Sequence, residues 1–318
     1  MDGNHSDIIV IGAGMAGLTC ATRLAEAGLS VRVLDKGRGP GGRMAARRAE
    51  VAGEQVSFDH GAQYFTARDR GFREMVERWA SSGAVARWPE AGDDAWVGTP
   101  NMNGPIRAMA EALEVHWSVR AEAFSRDGNG WHVATDQGEF TAGTVLVAVP
   151  AEQAAELLRD PAPELAAIAA GVVSEPCWAV MAGFESALDL TGDTVRGEDA
   201  PISWAARNSA KPERLGEECW VIHASPERSR EIIDLPREEV GAILLDDFFG
   251  QTGATRAEPI HLAAHRWLYA MPAAVSGDAA RFDAQAAIGI AGDYLHSPRV
   301  EGAWISGNAL ADRVLQQR

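Results

Sequence analysis

The segment Asp7-Ile-Ile-Val-Ile-Gly12-Ala-Gly14-Met-Ala-Gly17 decides the fold of this 318-residue chain. Residues 8–11 form a short β-branched run that is typical of a buried parallel strand. An apolar pattern of helical period follows the glycines over residues 18–27, and a second strand is predicted over residues 31–34. Together these elements predict a βαβ unit with a glycine-rich turn at its first strand–helix junction.

The three glycines of this turn have separate roles. Gly12 permits the tight turn, Gly14 lets the backbone approach a pyrophosphate, and Gly17 lets the helix pack closely against the strand. The helix N-terminus offers free N–H groups and the positive end of its dipole to the phosphates. Asp35 ends the second strand, where a carboxylate accepts hydrogen bonds from the adenosine ribose and disfavours a 2′-phosphate. The candidate cofactors for this site are therefore NAD and FAD, and NADP is disfavoured there.

Three further segments favour FAD over NAD. Gly41-Gly42-Arg43 follows the second strand, where paired glycines let the backbone run close to a pyrophosphate and the arginine can neutralise it or point towards a flavin. Near the other end of the chain come Gly292-Asp293 and Glu301-Gly302-Ala303. Asp293 can bind a ribityl hydroxyl, and a helix that begins near Gly302 can direct its N-terminus at the flavin C2 carbonyl. We therefore expect the C-terminal part of the chain to cover the flavin half of the dinucleotide.

Composition narrows the class of protein. A formal net charge of −16 argues against nucleic acid or an anionic membrane as a partner, while 46% hydrophobic residues suffice for a full core. The basic residues are almost all arginine, which suits an anionic small-molecule substrate. The three cysteines have no metal-ligand spacing and indicate a reducing compartment, so no metal is expected. With no signal peptide and no apolar run of about 18 residues, we expect a soluble, cytoplasmic protein.

The pattern along the chain predicts an α/β fold with two interleaved domains. A Rossmann-like FAD-binding domain is predicted from residues 1–70, 98–171 and 280–318. A substrate domain, a mainly antiparallel sheet plus helices, is predicted from residues 71–97 and 172–279. Further strands are predicted over 96–98, 115–119, 130–135, 139–141, 144–149, 178–184, 203–206, 220–224, 260–266 and 288–291. Further helices are predicted over 72–79, 104–113, 236–249 and 303–314, and the strands 115–119, 130–135 and 139–141 are expected to form a small meander.

Such an insertion places a ligand site at the domain boundary. The substrate-site candidates there are Gln63, Tyr64, Asn208, His223, His265, Arg266 and Trp267. The predicted FAD-binding residues are Gly12, Gly14, Met15, Ala16, Gly17, Asp35, Lys36, Gly42, Arg43, Met44, Gly61, Ala62, Gln63, Gly292, Asp293, Gly302 and Ala303. The sequence shows no Ser-His-Asp order, no metal-ligand spacing and no pair of carboxylates at the predicted site.

Several segments resemble the FAD-dependent amine oxidase superfamily, and more closely the renalase family in its bacterial form. They are the glycine motif at 12–17, Asp35-Lys-Gly-Arg-Gly-Pro-Gly-Gly-Arg-Met44, Gly61-Ala-Gln-Tyr-Phe-Thr-Ala-Arg-Asp69, Trp204-Ala-Ala-Arg-Asn208 with Lys211-Pro212, Ala264-His-Arg-Trp-Leu-Tyr-Ala270 and Arg299-Val-Glu-Gly-Ala-Trp304. The segments 61–69 and 265–269 are more specific to the family than the glycine motif is. The resemblance implies a substrate domain that roofs the isoalloxazine ring of a noncovalently bound FAD.

The resemblance also implies an activity. Bacterial renalases oxidise mis-reduced isomers of NADH, which carry the hydride at the wrong ring carbon, back to NAD, and electrons pass to O2 to give hydrogen peroxide. The partners expected for this chain are accordingly a dinucleotide substrate and O2. Two alternatives stay open: a flavin-dependent amine oxidase or desaturase of another small substrate, and a flavin-binding protein that serves in interaction or sensing. Amine oxidases resemble one another in a lysine near flavin N5, and here Lys211 alone could serve, from an Asn-Ser-Ala-Lys-Pro loop.

Overall fold

A computed structural model describes residues 5–317. Within this range the strands, numbered in chain order, are β1 (His5–Ile11), β2 (Val31–Asp35), β3 (Arg47–Val51), β4 (Glu54–Phe58), β5 (Phe65–Thr66), β6 (Val85–Arg87), β7 (Ala95–Gly98), β8 (Glu114–Trp117), β9 (Ala121–Asp127), β10 (Gly130–Thr135), β11 (Gly138–Val147), β12 (Ser174–Phe184), β13 (Thr194–Arg196), β14 (Ile202–Arg207), β15 (Glu218–Ala224), β16 (His261–Pro272), β17 (Ala280–Asp283) and β18 (Ile288–Ala291). The helices are α1 (Met15–Glu26), α2 (Arg70–Ser81), α3 (Gly104–Ala110), α4 (Ala151–Leu158), α5 (Pro163–Ala170), α6 (Pro226–Glu231), α7 (Arg237–Thr252) and α8 (Val300–Leu315).

The largest sheet combines strands from the beginning, the middle and the end of the chain. Its order is β17-β18-β11-β1-β2-β8, with β10 and β9 attached to β11, and β1 pairs in parallel with both β11 and β2. Alternate residues of β1 serve opposite faces: Ile8 and Val10 pack in the core that includes α1 and α8, whereas Ile9 and Ile11 pack in the core that includes α4 and α5. The predicted α/β class with a Rossmann-like unit is confirmed.

The predicted meander is corrected in two respects. Residues 115–119 do not join it, because β8 pairs in parallel with β2 at the edge of the large sheet. The meander is instead β9-β10-β11, and β9 escaped prediction because most of its side chains are exposed. The separate strands predicted over 139–141 and 144–149 are one strand, β11, whose first half lies against β10 and whose apolar second half is buried between β1 and β18.

The second sheet is antiparallel and has the order β13-β14-β15-β12-β16. One face packs on α7, through a core that includes Trp178, Ala205 and Phe248. The other face is covered near one end by the β3–β4 hairpin. The predicted strands over 178–184, 203–206 and 220–224 and the helix over 236–249 lie inside β12, β14, β15 and α7. The strand predicted to end at residue 266 continues to Pro272 as β16, and the helix predicted to reach residue 113 ends at Ala110 as α3.

A third, small sheet has the order β5-β7-β6 and packs with α2. In the part of the chain that the structure describes, none of the helices has the length and apolar character needed to cross a bilayer. The same residues contain no group of three or more His, Cys, Asp and Glu side chains placed to hold a metal ion.

Candidate cofactor and substrate site

In the glycine turn after β1, one glycine has space for a side chain and the other two do not. A Cβ atom on Gly17 would lie 1.9 Å from the Gly12 carbonyl oxygen, and a Cβ on Gly12 would lie 2.6 Å from the Ala148 carbonyl oxygen. A Cβ on Gly14 would meet nothing within 4 Å. The first bond inside α1 runs from the Leu18 N–H to the Gly14 carbonyl, and no side chain caps the helix. Packing thus requires Gly12 and Gly17, while Gly14 and the free N–H groups of Met15 and Ala16 face space that a phosphate can enter.

Asp35 ends β2 beside this turn. Its Oδ2 accepts a hydrogen bond from the Ala13 N–H, and its Oδ1 accepts one from the Gly37 N–H, both at 2.6 Å. The carboxylate therefore joins the loop after β1 to the loop after β2, at the carboxyl edge of the parallel strands where dinucleotides bind. Lys36 extends along the same edge and donates to the Gln153 Oε1 at 2.8 Å.

Two of the segments predicted for the flavin half, 41–43 and 292–293, meet at Arg43. The Arg43 guanidinium donates to both carboxylate oxygens of Asp293, at 2.6 and 2.8 Å. The Arg43 carbonyl accepts from the Ala62 N–H at 2.8 Å and lies 2.1 Å from where a Cβ on Gly61 would be. A Cβ on Gly42 would lie 3.8 Å from the Gly14 Cα, so this segment adjoins the glycine turn. The ion pair thus holds the β2 loop against the end of β18, 250 residues along the chain.

The N-terminus of α8 is fixed next to these segments. The buried Glu301 carboxylate accepts from the backbone N–H groups of Arg68 and Asp69, each at 2.6 Å. Gly302 is required by packing, because a Cβ there would lie 2.1 Å from the Ser297 carbonyl oxygen. The predicted cofactor residues Gly302 and Ala303 therefore belong to the first turn of α8, and Met44 is buried behind the loop of Arg43. The open Gly14, the uncapped α1 and the paired charges suit an elongated dinucleotide such as FAD.

A single row of side chains crosses the antiparallel sheet. Cross-strand partners run in the order Arg196 on β13, Trp204 on β14, His223 on β15, Ala179 on β12 and His265 on β16. Paired residues of neighbouring strands project from the same face. That face is the one turned away from α7, because Trp204 packs in the core with α1 and α8. The sheet thus presents two histidines, a tryptophan and an arginine towards the segments that converge on Arg43.

The chain segment 60–64, between β4 and β5, lies on this row. The His60 ring stacks on Trp267 with centroids 5.1 Å apart and meets His265 edge-on at 4.8 Å. At the other end of the segment, Tyr64 packs against Trp204 with centroids 5.2 Å apart. The His60 carbonyl accepts hydrogen bonds from the indole N–H of Trp267 at 2.8 Å and from Nε2 of His223 at 3.2 Å. The small Ala179 between the two histidines of the row leaves space for the His60 ring.

The three histidines of this group are neutral at physiological pH. Burial lowers the pKa of His60, of His223 and of His265 to about 4 in each case. The Nε2 atom of His223 lies 3.2 Å from the His60 carbonyl oxygen and 3.4 Å from the Gln63 Nε2. The Nδ1 atom of His60 is buried and has no hydrogen-bond partner among residues 5–317. The group is therefore an uncharged aromatic surface rather than a set of proton donors.

Gln63 connects the row to a buried cluster of charges. Its Nε2 donates to the carbonyls of Asp59 and Gly61, and its Oε1 accepts from Nζ of Lys211 at 3.1 Å. The Asp59 carboxylate in turn accepts from Lys211 at 3.3 Å, from Arg214 at 2.6 and 3.1 Å, and from a backbone N–H at 2.9 Å.

The side chains of Asp59, Lys211 and Arg214 are all fully buried. Two cations therefore share one carboxylate, which leaves one excess positive charge in the interior. Burial is the largest influence on Lys211 and lowers its pKa to about 8. The neighbouring Lys211 and Arg214 charges outweigh the effect of burial on Asp59 and hold the pKa of that carboxyl below its usual value.

Two substrate-site candidates do not face this group. Asn208 is buried, and its amide accepts from the Asp59 N–H at 3.1 Å and donates to the Ser57 carbonyl at 2.8 Å, so both its polar atoms hold the end of β4. Arg266 lies on the opposite face of β16, where it donates to the Ile233 carbonyl at 2.7 Å. The structure gathers Gln63, Tyr64, His223, His265 and Trp267, and it places beside them His60, Asp59, Lys211, Arg214, Trp204 and Arg196.

Comparison with known proteins identifies the family. A description of an NAD(P)-binding Rossmann-like domain matches residues 10–79, and one of the flavin-containing amine oxidoreductases matches residues 83–315. The chain belongs to the flavin-containing amine oxidoreductase family. The predicted FAD cofactor is thereby confirmed, and when bound it would be held by the glycine turn, the β2 loop and the first turn of α8. The individual contact residues and the domain bounds remain predictions.

Relatives of this oxidoreductase family match over parts of their length. An L-amino-acid oxidase of Demansia vestigiata is 32% identical over 108 residues, 34% of this chain and 20% of that protein. A hydroxyneurosporene desaturase of Rubrivivax gelatinosus is 48% identical over 61 residues, 19% of this chain and 11% of that protein. The chain thus spans well under a third of the length of these relatives.

Solved structures match over the whole length. A putative protoporphyrinogen oxidase from Exiguobacterium sp. 255-15 superposes with a TM-score of 0.76 at 13% identity and full coverage of both chains. A redesigned putrescine oxidase superposes with a TM-score of 0.71 at 15% identity and 99% coverage of both chains. At these identities the likeness concerns the fold alone.

Proposed function

We propose that this family member is a renalase-like, FAD-dependent oxidase. Its substrates would be 2- or 6-dihydronicotinamide dinucleotides, the mis-reduced isomers of NAD(P)H, and its product NAD(P)+. Bound FAD supplies the hydride acceptor, its N5 atom, and a route for the two electrons to O2, which gives hydrogen peroxide. The resemblance of segments 61–69 and 264–270 to bacterial renalases supports this substrate class.

The observation that carries the proposal is the uncharged aromatic surface formed by His60, His223, His265 and Trp267. A dihydropyridine is planar, and loss of its hydride produces an aromatic cation, so the chain needs to position it rather than to remove a proton. Imidazoles whose pKa is about 4 stay neutral and hold a flat ring by stacking and hydrogen bonding. Among residues 5–317, the carboxylate that hydrogen bonds connect to this group is that of Asp59, and it is already paired with Lys211 and Arg214.

The charge beside this surface favours the dinucleotide over an amine. The cluster of Asp59, Lys211 and Arg214 carries one excess positive charge, which repels an ammonium group and attracts phosphates. Arg196 at the end of the row adds a further exposed cation. The alternative is an amine oxidase or desaturase activity, the kinds of activity named for the similar proteins. The experiment must distinguish this alternative from the proposed activity.

The experiment is anaerobic stopped-flow mixing of the FAD-loaded protein with the 2- and 6-dihydro isomers of NAD, with NADH and with simple amines. We expect a 2- or 6-dihydro isomer to bleach the flavin absorbance, NADH to do so far more slowly, and amines not at all. Because the three histidines are neutral and the pKa of Lys211 is lowered only to about 8, the bleaching rate should also stay constant between about pH 5.5 and 7. Rapid bleaching by an amine would establish the alternative, and a flavin that no compound bleaches would indicate a binding protein.

A further inference from the structure

Arg196 forms the outer end of the row that crosses the antiparallel sheet. Its guanidinium carbon lies 4.4 Å from the ring centre of Trp204 and 5.7 Å from that of Tyr64. Nη2 donates to the Ala91 carbonyl at 2.7 Å, and Nη1 donates to the Tyr64 hydroxyl at 3.4 Å. These contacts fix the plane of the guanidinium group but occupy only two of its five N–H donors.

The charge of Arg196 is not neutralised by the protein. Among residues 5–317 no carboxylate lies within 4.0 Å of it, although the chain carries a net charge of −16. Arg207, on the neighbouring strand β14, is by contrast paired with both Asp193 and Glu218. Beside Arg196 the indole N–H of Trp204, a residue only 9% exposed, also has no hydrogen-bond partner in the described part of the chain. Free donors and an uncompensated cation at one place fit an anion that comes from outside the protein.

The position of Arg196 on the row specifies that anion. Two strand spacings, about 10 Å, separate Arg196 from His223 on the same face of the sheet. A nucleotide joins its base to its phosphate through one ribose, a span of this order. We propose that Arg196, with Trp204 and Tyr64, is the subsite for the phosphate of a nicotinamide nucleotide whose ring lies on the histidine end of the row.

The proposal rests on the proposed function, because it takes the ring at the histidines to be a nicotinamide. It also adds a determinant of specificity: the subsite makes the enzyme prefer phosphorylated dihydronicotinamides over the uncharged riboside. A guanidinium with its plane already fixed forms paired, charge-assisted hydrogen bonds to phosphate oxygens. For an exposed arginine we expect a preference of about tenfold, the low end for charged hydrogen bonds.

The test compares Arg196→Met with Arg87→Met. Methionine keeps an apolar side chain over Trp204 and removes the charge. Arg87 is the matched control, because it is an exposed arginine that stacks on a different tryptophan, Trp96, at 4.0 Å. With FAD-loaded proteins, the KM values of 6-dihydronicotinamide mononucleotide and of the corresponding riboside are measured. We expect Arg196→Met to raise the KM of the mononucleotide about tenfold and that of the riboside less than about twofold, with both unchanged in Arg87→Met.

A second measurement does not depend on turnover. Isothermal titration of the FAD-loaded protein with oxidised nicotinamide mononucleotide and with nicotinamide riboside should show tighter binding of the mononucleotide, a preference that weakens with salt and is absent in Arg196→Met. Equal affinities in the unaltered protein, or the same loss for both ligands in the variant, would overturn the subsite. If neither dihydro compound is oxidised but the titration shows the preference, the proposed function fails and the phosphate subsite stands. The Arg196→Lys variant keeps the charge and should retain part of the preference. It is the variant to measure if Arg196→Met does not fold.

Discussion

Replacing Asp59 by asparagine tests whether the buried charges stabilise the protein as the geometry implies. The Asp59 carboxylate is fully buried and accepts hydrogen bonds from Lys211 and from two nitrogens of Arg214, at 2.6–3.3 Å. The Asp59→Asn variant keeps an acceptor for the Met102 N–H but leaves two cations without a counter-charge in the interior. Breaking a buried ion pair in this way costs about 3–5 kcal/mol, a large part of the ~5–15 kcal/mol that stabilises a typical domain.

The assay is urea denaturation at a fixed, saturating concentration of FAD, because bound cofactor adds to the measured stability. Two companion variants separate charge from packing. Lys211→Met leaves a neutral pair of Asp59 and Arg214 and should cost about 1–3 kcal/mol, because the buried Oε1 of Gln63 loses the lysine as its hydrogen-bond donor. The double variant that combines Asp59→Asn with Lys211→Met has one unpaired buried cation instead of two, and it should be more stable than Asp59→Asn alone. The reasoning is refuted if Asp59→Asn loses less than about 1 kcal/mol, or if Lys211→Met destabilises the protein as much as Asp59→Asn does.

Three other outcomes are expected. Asp35→Ala should lower the flavin retained per protein after gel filtration, and equal retention would contradict a ribose contact. Gly14→Ala, whose Cβ meets nothing, should change apoprotein stability by at most about 1 kcal/mol yet impair FAD binding, whereas Gly17→Ala should lose more than about 2 kcal/mol; the reverse order in urea titrations would exclude these roles. Because burial lowers the pKa of His60 and His223 to about 4, the unfolded chain binds more protons between about pH 4 and 6.5. The free energy of unfolding should therefore decrease as the pH is lowered from about 6.5 to 4, by up to about 1.4 kcal/mol per pH unit for each histidine. A flat profile would exclude the burial effect.

The fold around the predicted cofactor half of the site was predictable because its signals are local. A strand, three glycines, a helix and an acid lie within about thirty residues, and each has one physical function that fixes its spacing. The late Gly292-Asp293 segment was also predicted to return to the first motif, and in the structure Asp293 pairs with Arg43. That contact joins distant residues, but both belong to recognisable strand ends.

The substrate side was less predictable for two reasons. Asp59, Lys211 and Arg214 come together from positions about 150 residues apart, and no periodicity connects them. The one available signal was that Lys211 is one of only two lysines in the chain. Side chains along a strand alternate between faces, so Arg266 lies on the opposite face of the sheet from His265 and Trp267, and the role of each in substrate binding remains a prediction.

The packing of α8 against α1 has a consequence for biosynthesis. A Cβ on Gly307 would lie 2.3 Å from the Ala16 carbonyl, so the last helix sits directly on the first one, and β18 completes the sheet begun by β1. At about 5–20 residues per second, a ribosome needs roughly 15–60 s to make the chain that separates these helices. The nascent polypeptide therefore carries an unfinished nucleotide cleft, with apolar surfaces uncovered, until α8 has been synthesised. Loading of the cofactor must wait for that helix, and chaperones have that interval in which to protect the open cleft.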